Sequence, residues 1–294
     1  MQNLGNMLTA MVTPFKPDSS VDYEAAKKLA LRLLDEGSDG IVVSGTTGES
    51  PTLSFEEKNE LFRAVKEAVG DRGLVVAGSG NNCTEESIMM TQAAEAVGVD
   101  ACMLVTPYYN KPPQDGLYKH FEAVAENTSL PVVLYNVPSR TAVNLDGSTI
   151  IALSQVPNIV AVKEASGNTE QVAKIVGATP DDFMVYSGDD EFTLTLLALG
   201  GIGVISVAAH VAGREIKQLV KAFSEGDQKE ALKIHLKLLP LFKTLFMTTN
   251  PIMVKAALRL KGFDAGGLRL PLIEATRKQV EKLKTVMTEA GLLT

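Results

Sequence analysis

Ile159-Val160-Ala161-Val162-Lys163-Glu164-Ala165 is a short apolar run, rich in β-branched residues, that carries a cation near its end. Pro131-Val132-Val133-Leu134-Tyr135-Asn136-Val137 is a second such run, and one amphipathic stretch joins the two. Runs this short and this apolar suit parallel strands buried on both faces, with the stretch between them forming a crossover helix. Further runs begin near Leu8 (LTAMVTPF), Gly40 (GIVVSG), Leu74 (LVVAGSG), Ala101 (ACMLVTPYY), Phe183 (FMVYSGD) and Gly203 (GVISVAA). Eight evenly spaced units predict an α/β fold, a closed (β/α)8 TIM barrel. An open doubly wound sheet needs fewer strands and less apolar edges.

After the eighth run the pattern is helical only, in segments that start at Val211, Asp227, Asn250 and Ile273. The expected organisation is a catalytic barrel over residues 1–224 and a C-terminal α-helical region over 225–294. Helix starts are marked by Asp22, by Ser54 with Glu57 as a capping box, and by Thr84. Asn250-Pro251 reads as an N-cap followed by proline in the first turn. Asp190, before an apolar stretch, reads as a helix N-cap rather than as half of a metal pair with Asp189.

The chain has 294 residues, 45% hydrophobic and 21% charged, a composition typical of globular proteins. Its formal charge of −7 leaves no basic surplus for nucleic acid. Two cysteines and three scattered histidines form neither a disulfide framework nor a metal-ligand spacing. No export or membrane-spanning signal is visible, so a cytoplasmic location is expected.

In an eight-fold barrel, chemistry gathers at the C-terminal ends of the strands. Lys163 interrupts its run on the face that strict alternation shares with Ile159 and Ala161. If that face is the inner one, desolvation favours a neutral, nucleophilic amine; otherwise Lys163 is a strand-end partner of Glu164. A neutral amine attacks a ketone to give an imine, which acidifies the adjacent C–H and yields an enamine. Tyr135, on the preceding strand, suits either the accompanying proton transfers or a place in the core. Thr46 and Thr47, between Gly45 and Gly48, form either a carboxylate-binding turn or an ordinary loop. Arg140 is placed to clamp a carboxylate at the barrel mouth, although a lone loop arginine is commonly just solvated.

Taken together, GTTGESPTLS, TPYYNKPPQDGLYKHF, LYNVPSRT, VAVKEASGN, SGDD and GGIGVISVAAH resemble the dihydrodipicolinate synthase family of pyruvate-dependent lysine-imine lyases and aldolases. The resemblance covers nearly the whole chain. It implies condensation of pyruvate with aspartate-4-semialdehyde to 4-hydroxy-tetrahydrodipicolinate, on the diaminopimelate route to lysine, with no cofactor and no metal. By this similarity Lys163 forms the imine, Tyr135 moves protons, and Thr46 links Tyr135 to a Tyr109 that enters from a neighbouring subunit. It also assigns Thr47 and the backbone near Ile205 to pyruvate, Arg140 to the aldehyde's carboxylate, and Gly188 to the cavity wall. A homotetramer built as a dimer of dimers is implied, with neither nucleic acid nor membrane as partner.

Two rival readings stand beside this one: another pyruvate-lysine aldolase, such as an N-acetylneuraminate lyase or a 2-keto-3-deoxy sugar acid aldolase, and a non-catalytic binding protein on the same barrel. One departure is visible. Lysine-inhibited relatives carry two histidines at positions that hold Phe55 and Lys58 here. Ser50, Asn82, Glu86 and Tyr108 keep hydrogen-bonding groups, but a cationic Lys58 disfavours a cationic effector. Weak or absent lysine feedback is therefore expected, with an inhibition constant not well below a millimolar as its measure.

Overall fold

The computed structural model describes residues 4–293. Its strands are β1 (Met7–Ala10), β2 (Gly40–Val43), β3 (Leu74–Gly78), β4 (Ala101–Val105), β5 (Val132–Asn136), β6 (Ile159–Glu164), β7 (Met184–Ser187) and β8 (Gly203–Ser206). They pair in parallel, each with its sequence neighbour, and β8 closes on β1. The connecting helices are α1 (Tyr23–Asp35), α2 (Phe55–Val69), α3 (Thr84–Val97), α4 (Gln114–Glu126), α5 (Pro138–Thr141), α6 (Gly147–Leu153), α7 (Thr169–Ala178), α8 (Thr193–Ala198) and α9 (Ala209–Ser224). Helices α10 (Gln228–Leu245), α11 (Ile252–Leu260) and α12 (Arg277–Glu289) follow.

Alternation along each strand sorts the apolar side chains into two cores. Val42, Val76, Met103, Val133, Ala161 and Ile205 fill the barrel interior. Ile41, Val75, Leu104, Leu134 and Val162 point outward and pack under the helices. Continuous Val- and Leu-rich runs are what this double burial requires.

Strict alternation fails at one place that matters. In the pairing of β5 with β6, Val132 stands opposite Ile159 and Val133 opposite Ala161, so Val160 is an extra residue. This irregularity puts Ile159 in the outer core and Ala161 in the interior. Lys163 therefore shares its inward face with Ala161 but not with Ile159.

Asp22 and the Ser54–Glu57 capping box start their helices as expected. Three other cap assignments are corrected. Cys83, not Thr84, occupies the N-cap of α3, and the Thr84 hydroxyl instead meets His120 Nδ1 at 2.9 Å. Pro251, not Asn250, is the N-cap of α11, which leaves the Asn250 side chain for another partner. Asp190 does not cap α8, whose N-cap is Phe192. Its carboxylate crosses to the start of α9, accepting from the Val207 and Ala208 N–H groups at 3.0 and 2.9 Å and from the Ser206 hydroxyl at 2.5 Å.

A buried ion pair fastens the C-terminal helices to the barrel. Lys255 of α11 meets Glu49, in the loop after β2, at 2.7 Å, with both side chains almost fully buried. The same ammonium donates to the Gly267 carbonyl and lies 4.3 Å from the centre of the Phe15 ring. Arg269 stacks on Phe15 as well and forks onto Glu57 at 2.6 and 2.7 Å.

Candidate active site

Tyr135 and Lys163 are register partners on adjacent strands, so the barrel itself sets them side by side. Lys163 is 4% exposed, and its Nζ lies 4.4 Å from the centre of the Tyr135 ring. Among the described residues it makes no ion pair with an acid. Glu164 turns to the outer face, where Asn136 and Gln171 hold its carboxylate. The strand-end pair is thereby excluded. Burial pushes the Lys163 amine down to about 8; Asp190 opposes the shift and Arg140 adds to it. At that value roughly a tenth of the amines are neutral at pH 7, against about one in 2,500 for a free lysine.

Burial pushes the Tyr135 hydroxyl the other way, above its usual value, with Arg140 and a hydrogen bond to the Thr46 hydroxyl partly restraining it. A protonated phenol beside a partly neutral amine is a workable donor for imine formation. Thr46 belongs to a tight turn in which the Gly48 and Ser50 N–H groups both reach the Gly45 carbonyl. The left-handed positions flanking that turn fall on Ser44 and Glu49, not on the glycines. Gly48 is needed instead for room, because a Cβ there would lie 3.2 Å from the Met11 carbonyl oxygen. Glu49, held by Lys255, anchors the far side of the turn.

A cavity of about 400 Å³ opens above these groups. Lys163, Tyr135, Thr46, Thr47, Arg140 and Gly188 all line it. A second cavity of about 220 Å³ shares Thr46, Tyr135 and Arg140 and extends to Tyr108. Gly188 gives Lys163 its space: a Cβ there would lie 2.7 Å from Ala165 Cβ and 3.1 and 3.2 Å from Lys163 Cγ and Cε.

Two predicted site residues are not brought to this cavity within the chain. Ile205 is buried in the barrel interior and lines neither cavity. Tyr109 is 88% exposed, in a left-handed backbone conformation, outside both.

A family model described as the dihydrodipicolinate synthetase family matches residues 3–290. The chain belongs to this family. A family member from Moorella thermoacetica, named 4-hydroxy-tetrahydrodipicolinate synthase, is 55% identical over 98% of this chain and 99% of its own. The solved structure of the synthase from Cyanidioschyzon merolae, described with lysine bound, is 50% identical and superposes with a TM-score of 0.97 over 99% of both chains. That of the chloride-inhibited synthase from Acinetobacter baumannii, complexed with pyruvate, is 39% identical, with a TM-score of 0.96 over 99% of this chain and 100% of its own.

Sequence reasoning missed what the segment between α10 and α11 contributes to the cavity of this dihydrodipicolinate synthetase-family chain. Phe246, Thr248, Thr249 and Asn250 line the larger cavity. Asn250 Nδ2 donates to the Thr47 hydroxyl at 2.8 Å, and its Oδ1 is buried without a partner among the described residues. The polar Thr248-Thr249-Asn250 step between two amphipathic helices is the signal that was available; it was read as a cap alone. Among the described residues no three His, Cys, Asp or Glu side chains are grouped to hold a metal ion. No helix of the described residues is long and apolar enough to cross a membrane.

Proposed function

We propose that the chain condenses pyruvate with L-aspartate-4-semialdehyde to give 4-hydroxy-tetrahydrodipicolinate, the step of its named relatives on the diaminopimelate route to lysine. The observation that carries this reading is the buried Lys163 amine, pushed down to about 8 at the floor of a cavity that also holds Tyr135 and Arg140. The neutral amine attacks the keto carbon of pyruvate, water leaves, loss of a methyl proton gives the enamine that attacks the aldehyde, and the amino group of the added semialdehyde then closes the ring on the imine carbon and displaces Lys163. Tyr135 supplies and receives the protons, with the Thr46 hydroxyl as the next link. Thr47 and the backbone that follows Ile205, where Val207 lines the cavity, hold pyruvate, Arg140 takes the carboxylate of the incoming aldehyde, and Gly188 keeps the wall open.

Tyr109 belongs to the site of a second copy in this reading, which accounts for an aromatic residue left 88% exposed beside a cavity lined by Tyr108. A homotetramer built as a dimer of dimers, in the cytoplasm, completes it, with residues 1–224 as the catalytic barrel and 225–294 as the helical region that caps the mouth. Lysine feedback is weak, because Lys58 and Glu86 occupy the region where lysine-inhibited relatives hold their effector; Lys58 is held below its usual value by burial, with Glu86 opposing the shift.

The test is a coupled assay of the full chain with pyruvate and aspartate semialdehyde, run beside N-acetylmannosamine and a sugar-acid aldehyde as acceptors. Turnover with the semialdehyde alone supports the reading. Turnover only with the sugar acceptors would assign the site to an aldolase of the same fold.

A further inference from the structure

Behind the strand ends that carry Tyr135 and Lys163 lies a polar cluster that the chemistry above leaves unused. Asn136 and Glu164 are the next register pair after Tyr135 and Lys163, on the outer face, and both are fully buried. Among the described residues, every hydrogen bond to the Glu164 carboxylate comes from an N–H group. Asn136 Nδ2 reaches it at 3.0 and 3.2 Å, Gln171 Nε2 at 3.0 Å and the Ser166 backbone at 2.6 Å. No cation pairs with it among the described residues. A buried carboxylate without a cation is costly unless such donors satisfy it, and here they converge from β5, from the turn after β6 and from α7.

The amide orientations are fixed by backbone groups and leave no alternative arrangement. The Leu145 N–H donates to Asn136 Oδ1 at 2.9 Å, which turns Asn136 Nδ2 toward Glu164. The Leu145 carbonyl accepts from Gln171 Nε2 at 3.2 Å, which turns that amide the same way. Asn144 closes the cluster, accepting from Asn136 at 2.9 Å and donating to Gln171 at 2.9 Å. Residues 142–145 lead directly out of α5, the short helix that carries Arg140. One carboxylate thus ties together the end of β5, the end of β6 and the segment that follows Arg140.

We infer that Glu164 is a positioning residue for the condensation: its carboxylate, through Asn136, Gln171 and Leu145, holds Tyr135, Lys163 and Arg140 in one fixed mutual geometry. The inference rests on the reaction proposed above. The lowered proton affinity of Lys163 comes from burial and Arg140, with Asp190 opposing it. The effect of Glu164 is on alignment, where displacements near 1 Å are costly to turnover.

The experiment compares the full chain with Glu164→Gln and Gln171→Leu in the coupled assay, with circular dichroism and thermal melting as controls for folding. Glu164→Gln places an amide N–H₂ among donors, so kcat falls at least tenfold while the pyruvate KM stays within threefold and the apparent pKa near 8 in kcat/KM is kept. Gln171→Leu removes one donor of similar size and lowers kcat less, in the same direction. A merely structural role would lower the melting temperature and leave kcat of the folded protein unchanged. If Glu164→Gln does not fold, Gln171→Leu decides alone. A folded variant with kcat within twofold of the parent overturns the inference, as does a kept kcat with a displaced pKa. If the unsubstituted chain shows no turnover, the failure lies with the proposed reaction and not with Glu164.

Discussion

Lys163 and Glu164 are consecutive residues of β6 whose side chains leave the strand on opposite faces, one into the barrel and one into the shell around it. Among the described residues the inward one has no acid partner, and it is held down to about 8; the outward one is surrounded by N–H donors. Adjacent opposite charges so separated do not neutralise each other, and the amine keeps a lowered affinity for protons.

That separation sets the pH dependence. The neutral amine is the reactive form, so kcat/KM for pyruvate rises about tenfold per pH unit below about 8 and levels above it. The stability consequence has the opposite origin: the folded state resists protonating Lys163, a handicap fully present below pH 8 and relieved as pH climbs toward 10.5. Lys163→Met is therefore inactive but more stable at pH 7, by up to about 3 kcal/mol. Denaturant titration and a pH–rate profile check both; a profile flat from pH 6 to 9 would oppose the first.

Gly188→Ala pushes a methyl against the Ala165 Cβ and the Lys163 methylenes. The amine is displaced while the fold keeps its core, so kcat/KM falls on the order of 100-fold. Steady-state kinetics beside circular dichroism measure this. Activity within twofold of the parent would mean that the wall has slack.

Lys255→Met leaves Glu49 buried without its cation, and breaking such a pair costs about 3–5 kcal/mol. Replacing both partners, Glu49→Gln with Lys255→Met, costs less than the single change. Unfolding free energies of the two variants give the comparison. A double variant weaker than the single one would show that the carboxylate serves the loop in another way, for instance through the Arg269 N–H it accepts at 3.0 Å.

Tyr109→Phe loses turnover by about 100-fold or more without loss of fold, since the ring is exposed in the single chain. Mixing this variant with Lys163→Ala, each strongly impaired alone, restores activity in hybrids that join an intact Lys163 to an intact Tyr109. No restoration after confirmed subunit exchange would remove Tyr109 from a neighbour's site.

The barrel was legible because double burial writes eight apolar runs into the sequence, and each run begins within a residue of its strand. Lys163 was legible as a charge inside such a run. What local pattern does not encode is the partner brought by closure. Asp190 looks like a cap for the helix that follows it, yet its carboxylate serves α9, whose N-terminus the barrel brings alongside. Asn250 looks like a cap and instead bonds Thr47, some two hundred positions away in sequence. Alternation gives Ile159 the same face as Lys163, because it has no way to signal the extra residue at Val160. Glu164 sits at a strand end beside a lysine, where a sequence suggests an ion pair; only its donors reveal another task.

Borohydride reduction in the presence of pyruvate, read by peptide mass, bears most directly on the central claim. The expected result is a pyruvate-derived adduct on the peptide containing Lys163, absent when pyruvate is omitted and absent in Lys163→Ala. An unmodified Lys163 peptide in a chain that still turns over, or an adduct on a different lysine, would contradict it.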